Sequence, residues 1–258
     1  MATKDFAHLH VHTEYSMLDG AARLGDLFSY AKELGMSSMA TSDHGFLFGA
    51  FDFWRQAKAH DIKPIIGVEA YLTPGTHRTD RSRVRWGDGS RDDVSGGGAY
   101  THMTMWAETT EGMHNLFRAS SIASLEGQLY KPRMDREVLQ TYSKGLIATT
   151  GCPSGEIQTR LRLGQFDEAL QAASDFRDIF GKENFYCEVM DHGLDIERNV
   201  QEDLHRLAKQ LNLPYVATND LHYTRQEDHT AHAALLCVQS GSTLTDPKRF
   251  KFDADNFY

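Results

Sequence analysis

The chain has 258 residues, 40% of them hydrophobic, which suits one barrel-sized domain with a real core and argues against intrinsic disorder. No apolar run approaches the ~20 residues that span a bilayer, and the start, MATKDFAHLHVH, lacks the basic-then-apolar pattern of a signal peptide, so a cytoplasmic protein with no membrane partner is expected. A net charge of -9 argues against broad electrostatic binding of nucleic acid, and three widely spaced cysteines fit a reducing compartment rather than a disulfide framework.

In chain order, a strand is predicted over 6–11 and a helix over 24–34, where Leu24, Leu27, Tyr30, Ala31 and Leu34 share one face. A strand at 38–41, a helix at 51–60 and a strand at 64–71 follow. Segment 74–98 breaks the rhythm. Five arginines lie from Arg78 to Arg91, with Trp86 among them, ahead of Gly96-Gly97-Gly98. It reads as a mobile, solvated surface loop, the alternative being an arm that sets Arg83 and Arg85 on phosphate and Trp86 on a DNA base. Beyond it come a strand at 101–106, a helix at 113–125, a strand at 146–150 and a helix at 165–180. A strand at 185–189, a helix at 196–211 and a strand at 215–218 complete the series. Strand and helix in alternation argue for a parallel sheet with crossover helices, and seven units favour a closed or nearly closed barrel. Residues 1–240 read as the main domain. Residues 241–258, crowded with Phe250, Phe252, Phe257 and Tyr258, read as the start of a connection to further chain.

Thirteen histidines are the unusual figure, because imidazole is the commonest metal ligand and several of these sit in tight pairs. His10 and His12 lie two apart on the first strand, where i and i+2 side chains share a face and can converge on one cation. His8 shares that face one step deeper. Asp220 and His222 repeat the spacing after the last strand. Asp43 and His44 follow the second strand, Glu69 lies near the end of the third, Cys152 follows 146–150, and Glu188 closes 185–189 with His192 four residues on. Asp19 lies in the loop after the first strand. His102 is the exception, at the start of its strand. An isolated His, Asp or Cys is ordinarily structural. Nearly every strand delivering such a group at its C-terminal end points instead to the functional face of a (β/α) barrel.

The donor set mixes nitrogen, oxygen and one sulfur, which suits Zn, Mn or Fe and not Mg or Ca. Such side chains are too many for one tetrahedral ion and suffice for two or three. A carboxylate such as Glu69 can bridge ions, with a metal-bound hydroxide as the nucleophile and no separate side-chain base. No GxSxG elbow and no P-loop is present. Cys187 and Cys237 have apolar neighbours and read as core.

The ordered stretches FAHLHVHTEYSMLDG, ATSDHG, IIGVEAY, HMTMWA, TTGCPSGE and ATNDLHY are similar to the motifs of the PHP (polymerase and histidinol phosphatase) superfamily. The wording most resembles the PHP domain that opens the bacterial DNA polymerase III alpha subunit, in the form that keeps its metal ligands. The resemblance implies a distorted (β/α)7 barrel. It also implies a ligand set of His10, His12, Asp19, His44, Glu69, His102, Cys152, Asp220 and His222. His10, His12, Glu69 and Asp220 would hold one ion, Glu69, His102 and Cys152 a second, and Asp19, His44 and His222 a third. His8, Asp43, Glu188 and His192 would lie close by without an assigned role. The implied activity is 3′→5′ exonuclease proofreading on a DNA 3′ end, with the remaining domains of a polymerase chain and other replisome subunits as partners. A histidinol-phosphate-type phosphatase and a structural or docking module are the alternatives.

Overall fold

The computed structural model describes residues 6–90 and 93–258. Its centre is a ring of seven staves. The predicted first strand is not a regular strand but an extended segment, and it closes the ring on both sides. On one side Ala40 N donates to His8 O and Ser42 N to Val11 O; on the other His12 N donates to Leu221 O and Leu221 N to His10 O. From there β1 (Ser38–Thr41) pairs parallel with β2 (Lys63–Leu72), and β2 pairs antiparallel with β3 (Thr101–Ala107). β3 pairs antiparallel with β6 (Leu146–Thr149), and β6, β7 (Phe185–Val189) and β8 (Tyr215–Ala217) run parallel. A two-strand ribbon, β4 (Gln128–Leu129) and β5 (Lys131–Met134), adds to the far end of β2. The fold is thus an α/β distorted barrel, with one correction: β3 opposes the other staves, so the sheet is not all parallel.

Period-2 alternation decides what faces in and what faces out. Val68, Ala70, Leu72, Met103, Met105 and Ala148 point outward into an apolar shell. Over them lie α4 (Thr110–Glu126), α5 (Arg136–Tyr142), α6 (Glu156–Arg162), α7 (Phe166–Phe180) and α8 (Asp195–Leu211). A second cluster joins Val11, Leu24, Phe28, Met39, Phe53 and Leu221 under α1 (Leu24–Glu33) and α2 (Ala50–Ala59). The intervening residues, Glu69, Thr104, Thr149 and Glu188, point into the barrel and are fully or almost fully buried. The interior is therefore polar. At the starts of α4 and α5 the Thr109 and Asp135 side chains accept from Gly112 N and Val138 N, and α8 stops at Asn212 in the left-handed region (φ 53).

Segment 74–98 is a surface loop as read, mostly exposed over 75–90, but its described residues are tied to the domain. Arg133, 1% exposed, reaches under it and donates to the carbonyls of Arg78, Asp80, Ala99 and Gly127. Arg78 pairs with Glu126, Asp135 and Glu137. Val94 is buried beside the single glycine turn α3 (Ser95–Gly98). Trp86 is 6% exposed, with the Arg160 guanidinium 4.1 Å over its ring, so it has no open face for a DNA base. Arg83 is engaged with Tyr130, Arg85 is exposed, and Arg91 lies outside the described residues. Arg133→Ala leaves four carbonyls without their donor, at about 1–3 kcal/mol for each one that stays buried. The expected result is a loss of roughly 3 kcal/mol in urea unfolding, together with tryptic cleavage at Arg81 and Arg83 faster than in the parent protein. Unchanged cleavage would show that Arg133 does not hold the segment.

Candidate metal centre

One end of the barrel collects the predicted ligands. His102 belongs there because β3 is reversed: the start of an antiparallel stave lies level with the ends of the parallel ones, and His102 pairs across from Tyr71 near the end of β2. Asp220 takes φ 44, a left-handed conformation that short polar side chains tolerate, and this bends the chain after β8. Gly20 lets the Asp19 loop close, since a Cβ there would stand 2.1 Å from Thr13 O.

The tightest group is His10, His12, Glu69 and Asp220. Asp220 Oδ1 lies 3.3 Å from His10 Nε2 and 3.2 Å from His12 Nε2. Glu69 Oε2 lies 3.4 Å from His12 Nε2, and Oε1 lies 3.7 Å from His10 Nε2. Donors around a tetrahedral ion at roughly 2.0–2.1 Å stand about 3.3–3.4 Å apart. Among the described residues, His10 Nε2, His12 Nε2 and Asp220 Oδ1 are buried with no hydrogen-bond partner. Three unpartnered polar atoms at one buried point cost several kcal/mol unless something binds them, so these residues fit a divalent cation.

Two neighbouring groups share residues with the first. His44 Nδ1 and His102 Nδ1 reach the two oxygens of Glu69 at 2.7 and 3.1 Å, and Cys152 Sγ lies 3.1 Å from Glu69 Oε1. His44 Nε2 and His222 Nε2 reach Asp19 Oδ2 at 2.7 and 3.4 Å, with His12 alongside. Compared with the set implied by the resemblance, His44 thus faces two groups rather than one.

The electrostatics describe a centre short of positive charge. Among the described residues, every ion-pair partner of Asp19, Glu69, Glu188 and Asp220 is a histidine. Burial works against the charged form of His10, but the Asp220 and Glu188 carboxylates carry it well above the ordinary imidazole value. Burial is likewise outweighed at His44, which Glu69 and Asp19 raise to about 10. Burial, with His44 and His222 nearby, pushes His12 down to about 3. Against burial, His102 and His44 hold Glu69 well below the carboxylate range, and His222 and His44 do the same for Asp19. Burial, with Glu69 and Asp220, drives the Cys152 thiol well up.

The surrounding shell sets which ring nitrogen faces inward. His10 Nδ1 donates to Glu188 Oε1 at 2.7 Å, and Glu188 is itself held by Thr149 and Thr218 at 2.5 and 2.6 Å. Ser16 Oγ bonds His12 Nδ1 at 2.9 Å, and His222 Nδ1 donates to Asp220 O at 2.7 Å. Ser16, Thr149 and Thr218 were missed in the sequence. Their only signal is a hydroxyl side chain near a ligand, which is too common to single out.

Three near-site residues do other work. Asp43, buried, accepts from Thr13 N, Thr13 Oγ1 and Thr41 Oγ1 and ties the two ligand loops together. His192 has both nitrogens occupied, by Glu197 Oε1 at 2.5 Å and Asn219 O at 2.9 Å. His8 does not share the inner face. It lines a small pocket with Leu27, Tyr30 and Met39. The step from Ala40 on β1 to Ser42 just past it opposes the longer step from His8 to Val11, and that extra residue turns His8 away.

The family model described as the PHP domain matches residues 8–192. The chain is similar to the DNA polymerase III subunit alpha of Saccharopolyspora erythraea, 59% identical over 100% of this chain and 22% of that protein. It is similar to the same subunit of Mycobacterium tuberculosis, 55% identical over 100% of this chain and again 22% of that protein. The chain thus spans about a fifth of the length of these relatives. Among solved structures, an amidohydrolase from Chromobacterium violaceum aligns over 84% of this chain and 87% of its own, at 13% identity and a TM-score of 0.48.

Proposed function

The chain belongs to the PHP domain family, and on that footing we propose that it is a metal-dependent phosphoesterase that removes nucleotides from a DNA 3′ end. The observation that carries this reading is the meeting of His10 Nε2, His12 Nε2 and Asp220 Oδ1, buried and without hydrogen-bond partners among the described residues, beside Glu69. His10, His12, Glu69 and Asp220 would hold one ion; Glu69, His102 and Cys152, with His44 beside them, a second; Asp19, His44 and His222 a third. The nitrogen-rich set suits Zn, Mn or Fe. Bound divalent ions would supply a nucleophile at neutral pH and neutralise charge on a phosphodiester. The chain's own residues do the rest. Glu188 keeps the proton of His10 on Nδ1, so that Nε2 presents its lone pair inward. Ser16 and the Asp220 carbonyl hold the rings of His12 and His222 in the same sense. DNA as the substrate, a cytoplasmic setting, and the remaining domains of a polymerase chain and other replisome subunits as partners are proposed from the polymerase relatives. The net charge of -9 supports delivery of the 3′ end by such partners rather than capture by this chain's own field.

The test offers the purified protein, supplied with Mn or Zn, single-stranded and mismatched DNA labelled at the 3′ end, and separately a phosphomonoester. Release of labelled mononucleotide, abolished by His10→Ala, is the expected result. Turnover of the monoester alone would replace this reading with a small-molecule phosphatase. Silence with both, alongside a melting temperature that chelator lowers, would replace it with a structural role for the ions.

A further inference from the structure

A groove of 570 Å³ opens beside the ligand end of the barrel. Cys152 and Asp220, two residues of the centre, line it together with Phe250, Phe252, Phe257 and Ile196. Two of these aromatics are committed to the barrel. Phe257 stacks on His192 at 3.8 Å, and its carbonyl accepts from His222 N; Phe252 stands edge-on to His222 at 4.8 Å. Phe250 is not so committed. It is 55% exposed, and Ile196, at the start of α8, is 41% exposed.

The charges around this apolar surface are mostly negative. Asp195, Glu197 and Asp253 also line the groove against one lysine, Lys251; Lys251 is held by Asp253 at 2.9 Å, and Glu197 is paired with His192 at 2.5 Å. A phosphate chain running through the groove would meet these carboxylates. A flat, neutral, aromatic group would not.

Building on the phosphoesterase reading, we propose that this groove seats the terminal nucleobase of the strand being cut, stacked on Phe250, with its phosphate beside Asp220. A base stacked on an aromatic side chain gains about 1–3 kcal/mol whatever its identity, so the seat is base-dependent but tolerant of sequence. The acidic lining limits the groove to one nucleotide, because the next phosphate would be repelled. The chain is thereby read one nucleotide from its end.

The test measures binding, not turnover. The Mn-supplied protein and Phe250→Ala are titrated calorimetrically with deoxyadenosine 5′-monophosphate and with 2-deoxyribose 5-phosphate, which keeps the phosphate and lacks the base. The parent protein should bind the nucleotide at least ~10-fold more tightly than the sugar phosphate. Phe250→Ala should bring the two within ~3-fold while leaving the sugar phosphate's affinity unchanged. Equal affinities in the parent, or a preference that survives Phe250→Ala, would overturn the proposal. So would a parent protein that self-associates through the groove and becomes monomeric in Phe250→Ala. A protein that hydrolyses DNA without a base preference loses this inference alone. One that shows the preference but hydrolyses nothing loses the phosphoesterase reading and keeps the seat.

Discussion

Glu69→Gln is expected to leave the barrel folded and to cut phosphodiester hydrolysis by about 10³-fold, equivalent to roughly 4 kcal/mol of barrier. Glu69 is 1% exposed, and its two oxygens reach His10, His12, His44, His102 and Cys152. Glutamine keeps the volume and one acceptor oxygen. It removes the negative charge that all these contacts share and puts an NH2 where a donor atom to a cation is needed. The loss should appear equally as metal: element analysis of the purified variant should return fewer divalent ions per chain than the parent. Full metal content with lost hydrolysis would move Glu69 from holding ions to some other step. Full hydrolysis would remove it from the centre.

Stripping divalent ions should lower the melting temperature by roughly 10 °C. Ligand at about a thousand times its dissociation constant stabilises by about 4 kcal/mol, and a protein of this size shifts about 2–4 °C per kcal/mol. The drop should also widen with pH. In the metal-free protein, burial acts against protonation of His44, but Glu69 and Asp19 raise its pKa to about 10. A histidine raised in this way contributes stability that is fully present below the unfolded value of about 6.5 and is lost as pH climbs through about 10. The loaded protein needs those nitrogens unprotonated and lacks this decline. Calorimetric scans with and without chelator at pH 7 and pH 9 measure both terms. A chelator effect that is absent, or that shrinks at the higher pH, would contradict this account.

Much of the barrel was legible because its signals are local. Strand 38–41 and strand 185–189 have the expected bounds, and α7 and α8 lie within a residue of theirs. The misses have separate physical causes. α5 and α6 are seven residues each, too short for a 3.6-residue period to declare itself. α9 (His229–Ser240) carries Ala and Leu on several sides and shows no clear stripe. The reversal of β3 leaves no mark in the sequence, since a strand alternates in the same way in either direction. His102 was the hint, a ligand at the wrong end of its strand. Segment 74–98 is the exposed loop its composition suggests, but its anchoring was not foreseen. It is held by Arg133, a residue far along the chain whose burial no local pattern announces.

By itself the sequence determined the alternation that builds an apolar shell around a polar barrel. It also determined the kinds of donor, imidazole, carboxylate and thiol, that reach the strand ends. Both follow from residue type and a period of two, which operate over a few neighbours. Only the tertiary structure decided which atoms meet. His10 depends on Glu188, 178 positions away, for the hydrogen bond that orients its ring. Glu69, not any local motif, joins the three groups. The aromatic tail at 250–257 lies against His192 and His222 because the chain returns there in space. Coordination and binding depend on distances of a few ångströms between residues remote in sequence, and closure of the barrel sets those distances.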